Sequence, residues 1–270
     1  MNEHFPSIDP ALARRRFSRA APSYAQASRL ELEVGSRLLE RLDYVKLAPR
    51  RVLDAGSGPA RDAAALASRY RGAEIVALDY ALAMLPRPRR WFKRRLLPVC
   101  GDLARLPLAP QSVELVWCNM ALHWLSEPLA AFREFARVLA PEGLLMFSTL
   151  GPDTLKELRA AAGAARVHEF IDMHDLGDML VAAGYGAPVM DMELLRIEYA
   201  AGERLLDDLR ASGQTNARAD RPRGLAGRGD LKAFRAAPLT ATYEVVYGHA
   251  WRRAEAAPAV KTVRVFKRFS

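Results

Sequence analysis

A glycine-rich turn, VLDAGSGPARD from Val52 to Asp62, constrains the fold of this chain more than any other stretch. An apolar run precedes Gly56 and Gly58, and a helical pattern, ARDAAALASRY, follows them. A strand that passes through a tight glycine turn into a helix is a building unit of parallel α/β sheets, and such turns hold nucleotides. The stretch therefore predicts an α/β protein with a nucleotide site at this turn.

Alternating strand and helix patterns extend this interpretation along the chain. Further strand-like runs are EIVALD, LPVC, VELVWC and GLLMFSTL, and helical patterns such as PLAAFREFARVL separate most of them. The alternation predicts a doubly wound, mostly parallel sheet with crossovers on both faces. We expect Pro59 to start the first crossover helix, where its missing N–H costs nothing.

The regular alternation of strand and helix patterns ends outside this core. Residues 11–43 and 152–184 have helical spacing, and MELLRIEY and ATYEVVYGHAW read as two late strands with the helix GERLLDDLRAS between them. The predicted organisation is an N-terminal helical cap (1–44), an α/β core (45–150), a helical lid (151–187), C-terminal strands and a helix that complete the sheet (188–252), and a tail (253–270).

Composition limits the classes of partner. The net charge is +9 with a pI near 9.9, and 34 of the 40 basic residues are arginine. A basic surface attracts nucleic acid, anionic membrane or an acidic protein, but a genome-wide arginine bias explains the same numbers. No zinc spacing and no RNA-binding aromatic signature is visible in the sequence, so we expect no metal site and no nucleic acid.

Cellular location is predicted from other features. No apolar run approaches the ~18 residues that a membrane helix needs, and the start, MNEHFPSIDPALARRRF, has no apolar signal-peptide segment. Cys100 and Cys118 both fall in apolar strand-like runs, where buried free thiols are common. Two reduced core cysteines are typical of a cytoplasmic protein with no membrane partner.

The residues around the turn select the nucleotide. A dinucleotide turn needs a small residue at its sixth position, where this chain has Arg61, and no Gly-Lys-Ser/Thr follows for a P-loop. What remains is the pattern acidic-x-Gly-x-Gly from Asp54 to Gly58. A carboxylate there would repel a pyrophosphate, whereas it suits a ligand with an ammonium, a sulfonium and ribose hydroxyls. The pattern therefore favours S-adenosylmethionine.

Two more carboxylates end the next strands along the chain. Asp79 ends the second strand, where it can accept both ribose hydroxyls, and Asp102 follows the third, where it can accept the adenine amino group. The complete predicted cofactor set is Asp54, Gly56, Ser57, Gly58, Asp79, Tyr80, Met84, Asp102, Leu103 and Asn119.

Residues 50–150 resemble class I methyltransferases, and a closer resemblance covers nearly the whole chain. The stretches RRRFSRAAPSY, NMALHWL, FSTLGPDTLKELR, FIDMHDLGDML, RASGQTNA and TYEVVYGHAW occur in the order typical of the malonyl-acyl-carrier-protein O-methyltransferase family. Two departures lie in the glycine turn, where Ser57 replaces the family's Cys and Ala60 replaces its third Gly. The resemblance implies a mostly parallel sheet with an antiparallel last strand and a helical cap.

The resemblance also implies a reaction. The free carboxylate of a malonyl thioester on an acyl carrier protein attacks the methyl group of S-adenosylmethionine, and the methyl ester primes pimeloyl synthesis for biotin. A carboxylate with a pKa near that of Asp is ionised at neutral pH, so no general base is required. The catalytic candidates are Tyr24, matched to the family's N-terminal motif, and Asn119 and His123, which follow the fourth strand.

Several assignments stay open at this stage. Arg16, Arg19 and Arg166 are equal candidates to hold the malonyl carboxylate, and Thr149, Thr215 and Asn216 are weaker polar candidates. For docking of the acidic carrier protein we favour Arg14, Arg15 and Arg16, with the arginines of 221–228 second and the basic run 86–95 third.

Three other functions are compatible with the sequence. The first is a methyltransferase for another small acceptor. The second is a relative of the mitochondrial complex I assembly factor, which shares the HW pair and the G-x-x-N stretch. The third is a nucleic-acid binder, suggested only by the net charge.

Overall fold

A single seven-stranded sheet forms the centre of the computed structural model, which describes residues 7–86, 96–222 and 232–254. The strand order is β3-β2-β1-β4-β5-β7-β6, and β7 runs in the direction opposite to the other six strands of this sheet. The strands are β1 (Arg51–Ala55), β2 (Glu74–Asp79), β3 (Leu96–Cys100), β4 (Val113–Asn119), β5 (Leu139–Leu150), β6 (Tyr185–Tyr199) and β7 (Leu239–Arg252). The predicted mostly parallel sheet with an antiparallel last strand is confirmed.

Helices flank the sheet and precede it. They are α1 (Pro10–Ala27), α2 (Arg29–Arg41), α3 (Arg61–Arg69), α4 (Pro128–Val138), α5 (Lys156–Ala162), α6 (Met173–Ala182), α7 (Gly202–Ala211) and α8 (Lys232–Ala236), with short 3-10 turns at Leu42–Tyr44, Leu122–Trp124 and Ala164–Arg166. Asp9 caps α1, since its carboxylate accepts the Leu12 N–H at 2.9 Å.

The apolar runs form strands because both faces of the sheet are covered. In β1, the four residues after Arg51 are all buried, as expected of a central parallel strand. Two apolar layers result, one on each face. Val34, Leu38 and Leu66 pack on one side, and Phe132 and Phe135 pack on the other.

The topology fixes where a ligand can bind. Strand β1 lies between β2 and β4, so the direction of winding reverses at β1. At such a switch point the loops after the neighbouring strands move apart and leave a crevice at the carboxyl ends of the strands. The glycine turn after β1, Asp79 at the end of β2 and Asn119 at the end of β4 meet at this crevice.

Three local predictions were wrong. Pro59 precedes α3, whose N-cap is Ala60 with φ +61° and whose first residue is Arg61. Cys118 is buried, but Cys100 is exposed, because it ends the edge strand β3 and has no neighbouring strand on one side. Residues 152–184 are not one helical region, since 167–172 separate the turn Ala164–Arg166 from α6.

The predicted basic run 86–95 and the arginines of 221–228 lie mostly outside the described residues, as does most of the tail 253–270. Strand β6 begins at Tyr185, ahead of the predicted boundary at 187. Within the ranges that the structure describes, no helix is both long and apolar enough to span a bilayer.

Candidate functional site

The glycine turn after β1 is held by the neighbouring strand. The N–H groups of Gly56 and Ser57 both donate to the Leu78 carbonyl, at 2.8 and 2.9 Å. Gly56 has φ +81° and Gly58 has φ +51°, the left-handed region that favours glycine. A Cβ on Gly56 would lie 2.4 Å from the Ala121 Cβ, so the turn can close only with glycine there.

Asp79 is fixed at the end of β2 by two backbone donors. Its Oδ2 accepts the Gly58 N–H at 2.9 Å and its Oδ1 accepts the Ala81 N–H at 2.7 Å. Burial raises the pKa of this carboxyl, and the two backbone bonds oppose that rise. The carboxylate thus ties the glycine turn to the next loop and keeps free lone pairs at the edge of the crevice.

The cavity at this edge is called the turn cleft here and has a volume of about 130 Å³. Eight of the ten predicted cofactor residues line it, together with Tyr24 and Phe17 of α1, the first cap helix. The eight are Gly56, Gly58, Asp79, Tyr80, Met84, Asp102, Leu103 and Asn119. Asp102 is exposed, and its Oδ1 accepts the Ala104 N–H at 2.9 Å.

The other two predicted residues, Asp54 and Ser57, line a smaller compartment behind the turn, of about 40 Å³. Glu31, Asp62, Ser28 and one cation, Arg61, share its wall. We call it the acidic compartment, because its carboxyl groups outnumber that arginine. The Ser28 Oγ, Asp54 Oδ2 and Ser57 Oγ atoms are buried and have no hydrogen-bond partner among the described residues. Because buried polar atoms are normally paired, three unpaired atoms around one small cavity indicate a place for a polar ligand or for water.

The carboxyl groups of this compartment resist ionisation. Burial raises the pKa of Glu31 from 4.5 to about 6. Burial, and next the nearby Asp62, raise the pKa of Asp54 well above its ordinary value, and burial raises that of Asp62 too. A cationic ligand group would lower the pKa of these carboxyl groups again, because a nearby opposite charge favours the ionised form.

Asn119 has a role that the sequence did not predict. Its Nδ2 donates to the Glu31 carbonyl at 3.0 Å and to Asp62 Oδ2 at 2.9 Å, and its Oδ1 accepts from the Ser148 hydroxyl at 2.6 Å. All the donors of this amide are therefore used in joining α2, α3 and β5. The predicted catalytic contact of Asn119 stays a prediction.

Asp62 was missed from the sequence altogether. It accepts from Trp117 Nε1 at 3.0 Å as well as from Asn119. It lies in the first turn of α3, where an acidic residue is normally read as favourable to the helix dipole. Only the tertiary packing of α2 against β4 shows that it faces the acidic compartment.

A larger cavity of about 400 Å³ lies on the other side of Trp124, which also lines the turn cleft. We call it the arginine cavity. Its wall contains four arginines and no aspartate or glutamate, among the residues that the structure describes. The arginines are Arg16, Arg166, Arg210 and Arg221, and the apolar part of the wall includes Leu150, Leu155, Leu158, Leu206 and Leu209.

The structure separates the three arginines that the sequence left equal. Arg16 and Arg166 line the cavity, whereas Arg19 is exposed on α1 and does not. Arg210 and Arg221 were not predicted as candidates for the carboxylate. Thr215 and Asn216 also line the cavity, and Thr149 instead lies 3.3 Å from His123 Nδ1.

Two neutral histidines stand beside Trp124. Burial, with the nearby His168, lowers the pKa of His123 to about 3. Burial, with Arg16 and Arg218, lowers the pKa of His168 to about 4. His168 Nε2 accepts the Ala217 N–H at 2.7 Å. Neither imidazole carries a charge at neutral pH, so the net positive charge of the cavity belongs to its arginines.

Comparison with known proteins agrees with this geometry, and it shows the general class of protein to which the fold belongs. Residues 53–147 match the family model described as a methyltransferase domain. A solved putative methyltransferase from Bacillus halodurans has the same fold, with a TM-score of 0.59 and 17% identity over 82% of this chain and 99% of that one. The class is that of the methyltransferases with this α/β fold.

Full-length relatives then identify the family. A malonyl-acyl-carrier-protein O-methyltransferase from Methylovorus sp. strain MP688 is 50% identical, over 91% of this chain and 90% of the relative. One from Gallionella capsiferriformans strain ES-2 is 47% identical, over 94% of both. The chain belongs to the malonyl-acyl-carrier-protein O-methyltransferase family.

Proposed function

We propose that this chain transfers a methyl group from S-adenosylmethionine to the free carboxylate of a malonyl thioester carried by acyl carrier protein. The observation that carries the proposal is the opposite charge of two adjoining cavities. Acidic groups surround the glycine turn, and arginines without acidic neighbours in the wall surround the cavity beyond Trp124. A cationic methyl donor suits the first, and an anionic acceptor suits the second.

The residues around the turn fit S-adenosylmethionine. Glycines at positive φ allow the chain to approach a ligand closely. Asp79 has lone pairs that can accept hydrogen bonds from the ribose hydroxyls, and the exposed carboxylate of Asp102 can accept one from the adenine amino group. The unpaired Asp54 Oδ2, with Glu31 and Asp62 nearby, suits the ammonium of the methionine part.

Apolar side chains complete the proposed cofactor site. Met84 and Leu103 are buried in the wall of the turn cleft, and Tyr80 is partly exposed at its mouth. Apolar side chains and an aromatic ring suit an adenine ring, which has two π faces. The guanidinium of Arg14 lies over the Tyr80 ring, 5.1 Å from its centroid, and holds α1 against the mouth.

When bound, S-adenosylmethionine supplies a methyl group on a positively charged sulfur. The protein has to hold the acceptor carboxylate in line with that methyl group and exclude water. Proximity and orientation of this kind contribute roughly 7–11 kcal/mol to other reactions. The acceptor is already ionised, so the neutral state of His123 is compatible with the reaction.

Tyr24 and Trp124 are proposed to form the boundary where transfer takes place. Tyr24 lines the turn cleft and the acidic compartment, and its ring lies 3.7 Å from a Cβ built on Gly58. Burial, and next the carboxylates of Glu31 and Asp79, raise the pKa of Tyr24, so its hydroxyl stays protonated. Trp124 packs between Phe17 and His168, with ring centroids 4.8 and 4.7 Å away.

The cap and lid assignments belong to this proposal. Helix α1 supplies Tyr24 to the turn cleft and Arg16 to the arginine cavity, and the predicted lid 151–187 supplies Leu155, Leu158 and His168. The described part of the cap and the lid 151–187 would then cover the reacting groups, with water excluded between them. We also propose that the enzyme works in the cytoplasm, where it meets its acyl carrier protein.

A transfer assay tests the function. Labelled S-adenosylmethionine is mixed with the protein and with malonyl, succinyl or acetyl acyl carrier protein, and the product is analysed by mass spectrometry. The expected product is the monomethyl ester of the malonyl thioester, with slower transfer to succinyl and none to acetyl. The proposal fails if the cofactor binds but the malonyl substrate is not esterified.

A further inference from the structure

We propose that Arg16 and Arg221 together bind the free carboxylate of the acceptor and so determine specificity for an acidic acyl group. This inference rests on the proposed function and identifies the residues that its acceptor site would use. The sequence left three arginines equal and did not include Arg221 among them.

Arg16 is held in the cavity wall by the opposite segment of the chain. It projects from α1, is half-buried, and donates one Nη1 hydrogen bond to the Asn216 carbonyl. Asn216 Nδ2 in turn donates to the Ala165 carbonyl at 2.9 Å. A guanidinium has five N–H donors in a rigid fork, so one anchoring bond leaves the other donors for a planar anion.

Arg221 lines the same cavity wall as Arg16. Its Nη1 donates to the Arg218 carbonyl at 2.8 Å, which orients it as the Asn216 bond orients Arg16. Burial, and next the charges of Arg221 and Arg15, lower the pKa of Arg16, and the charge of Asp9 opposes them. Neither guanidinium forms a salt bridge with a carboxylate among the described residues. An acceptor carboxylate between them would pair both charges at once.

The other two arginines of the cavity fit the role less well. Arg210 already has two carboxylates, with Nη1 2.8 Å from Asp207 and 3.4 Å from Glu203. Arg166 also lines the cavity, but its guanidinium has no hydrogen bond or salt bridge that orients it among the described residues. An unanchored guanidinium loses more conformational freedom on binding an anion than an anchored one does.

Specificity follows from the same arrangement. A neutral acyl group, such as acetyl, would displace water from both guanidiniums and offer no charge in return. Burying a charged group without a partner is unfavourable, so the pair discriminates against neutral acceptors as well as attracting anionic ones. A malonyl thioester should therefore bind more tightly than an acetyl thioester even when neither is attached to the carrier protein.

Calorimetry with carrier-free ligands tests the assignment. The probes are malonyl-pantetheine and acetyl-pantetheine, each titrated into the complex of the protein with S-adenosylhomocysteine. Arg16→Gln and Arg221→Gln should each weaken malonyl-pantetheine roughly 10- to 100-fold. Neither variant should weaken acetyl-pantetheine, whose affinity should rise because one unpaired charge is removed. Arg19→Gln is the matched control on the exposed side of α1 and should change neither affinity.

Further variants keep the result interpretable. Arg16→Lys retains the charge without the fork and should lose less malonyl affinity than Arg16→Gln, with the same melting temperature as wild type. The assignment is overturned if Arg16→Gln and Arg221→Gln bind malonyl-pantetheine as wild type does. It is also overturned if both ligands weaken equally, or if Arg166→Gln alone loses the discrimination. Failure of the proposed function would differ, because the wild-type protein would then not esterify malonyl carrier protein at all.

Discussion

At the scale of single residues, the carboxylates around the turn differ in what holds them. Asp79 accepts two backbone N–H groups, whereas Asp54 Oδ2 has no partner among the described residues. The sequence pattern does not distinguish the two, because it shows each only as an acidic residue at the end of a strand. Their different surroundings predict different consequences when each is changed.

Replacing Asp79 by Asn should weaken the cofactor by roughly 10- to 150-fold, equivalent to ~1.5–3 kcal/mol for a charge-assisted hydrogen bond. The amide also cannot accept both the Gly58 and Ala81 N–H groups, so the glycine turn loosens. Calorimetry should show equal losses for S-adenosylmethionine and S-adenosylhomocysteine, since both contain the ribose. Asp102→Asn is the control, with a smaller loss expected because Asp102 is exposed. An unchanged affinity in folded Asp79→Asn would remove Asp79 from the site.

Glu31 makes the stability of the ligand-free protein depend on pH. Its pKa is raised by burial from 4.5 to about 6 in the folded state, so the folded protein binds the proton more tightly than the unfolded chain does. The stability that this group contributes is present below about pH 4.5 and is lost as the pH rises through about 6.

Glu31→Gln should remove this loss. At about pH 7.5 the variant should be more stable than wild type by at most ~2 kcal/mol, and near pH 4 the two should agree. Thermal unfolding of the ligand-free proteins measures the difference. A variant that is less stable than wild type at both pH values would show that the hydrogen bond from Gln214 outweighs the cost of ionisation.

At the scale of elements, α2 controls the acidic compartment by its closeness to β4. Asn119 donates to the Glu31 carbonyl of this helix, and a Cβ on Gly35 would lie 2.7 Å from Asn119 Nδ2 and 3.0 Å from Asp62 Oδ1. The absence of a side chain at Gly35 therefore lets the helix reach the site.

Gly35→Ala tests this contact against helix propensity. Alanine is better than glycine within a helix by ~1 kcal/mol, but here its Cβ would displace Asn119 and Asp62. We expect a net loss of about 1–3 kcal/mol of stability, together with weaker S-adenosylhomocysteine binding. Gly72→Ala is the control, because nothing lies within 4 Å of its Cβ position. A stabilised Gly35→Ala with normal cofactor binding would contradict the proposed role of α2.

Helix α1 corrects the grouping of the predicted docking arginines. Arg14 lies over Tyr80 at the turn cleft, and Arg16 lines the arginine cavity. The two cannot serve as one docking patch without disturbing both sites. Arg15 and Arg19 remain, both exposed on the same helix and outside both cavities.

At the scale of the whole molecule, a positive exterior near the cavity suits an acidic carrier protein. Arg15→Ser combined with Arg19→Ser should raise the Michaelis constant for malonyl carrier protein, with a smaller effect at high salt. Carrier-free malonyl-pantetheine should react as with wild type. If the double variant raises both Michaelis constants equally, these arginines hold the cap, and the carrier docks elsewhere.

The sheet was predictable because strand and helix patterns have different periods. Strands β1, β2 and β4 are short apolar runs, with helix α3 after β1 and helix α4 after β4. The turn residues were predictable for a similar reason, since Gly56, Gly58 and Asp79 fall at fixed places around the end of a strand. Cys100 was misjudged because an apolar run does not show whether its strand lies at the edge of the sheet.

The arginine cavity could not be predicted in the same way. Its four arginines come from α1, the 3-10 turn after α5, α7 and the segment 214–222, which are far apart in sequence and have no shared spacing. In a chain with 34 arginines, type alone does not distinguish Arg221 from the rest. Only the folded arrangement shows which cations lack acidic partners.

The central claim is that a cationic donor and an ionised acceptor meet between oppositely charged cavities and react without a general base. The most direct measurement is the single-turnover rate of methyl transfer to malonyl carrier protein, with both substrates saturating, from about pH 5.5 to 9. The rate should stay level, because the acceptor carboxylate is ionised throughout and the pKa of His123, about 3, lies below this range. A rate that rises tenfold per pH unit over part of the range would mean that a protein group must lose a proton first, and would contradict the account.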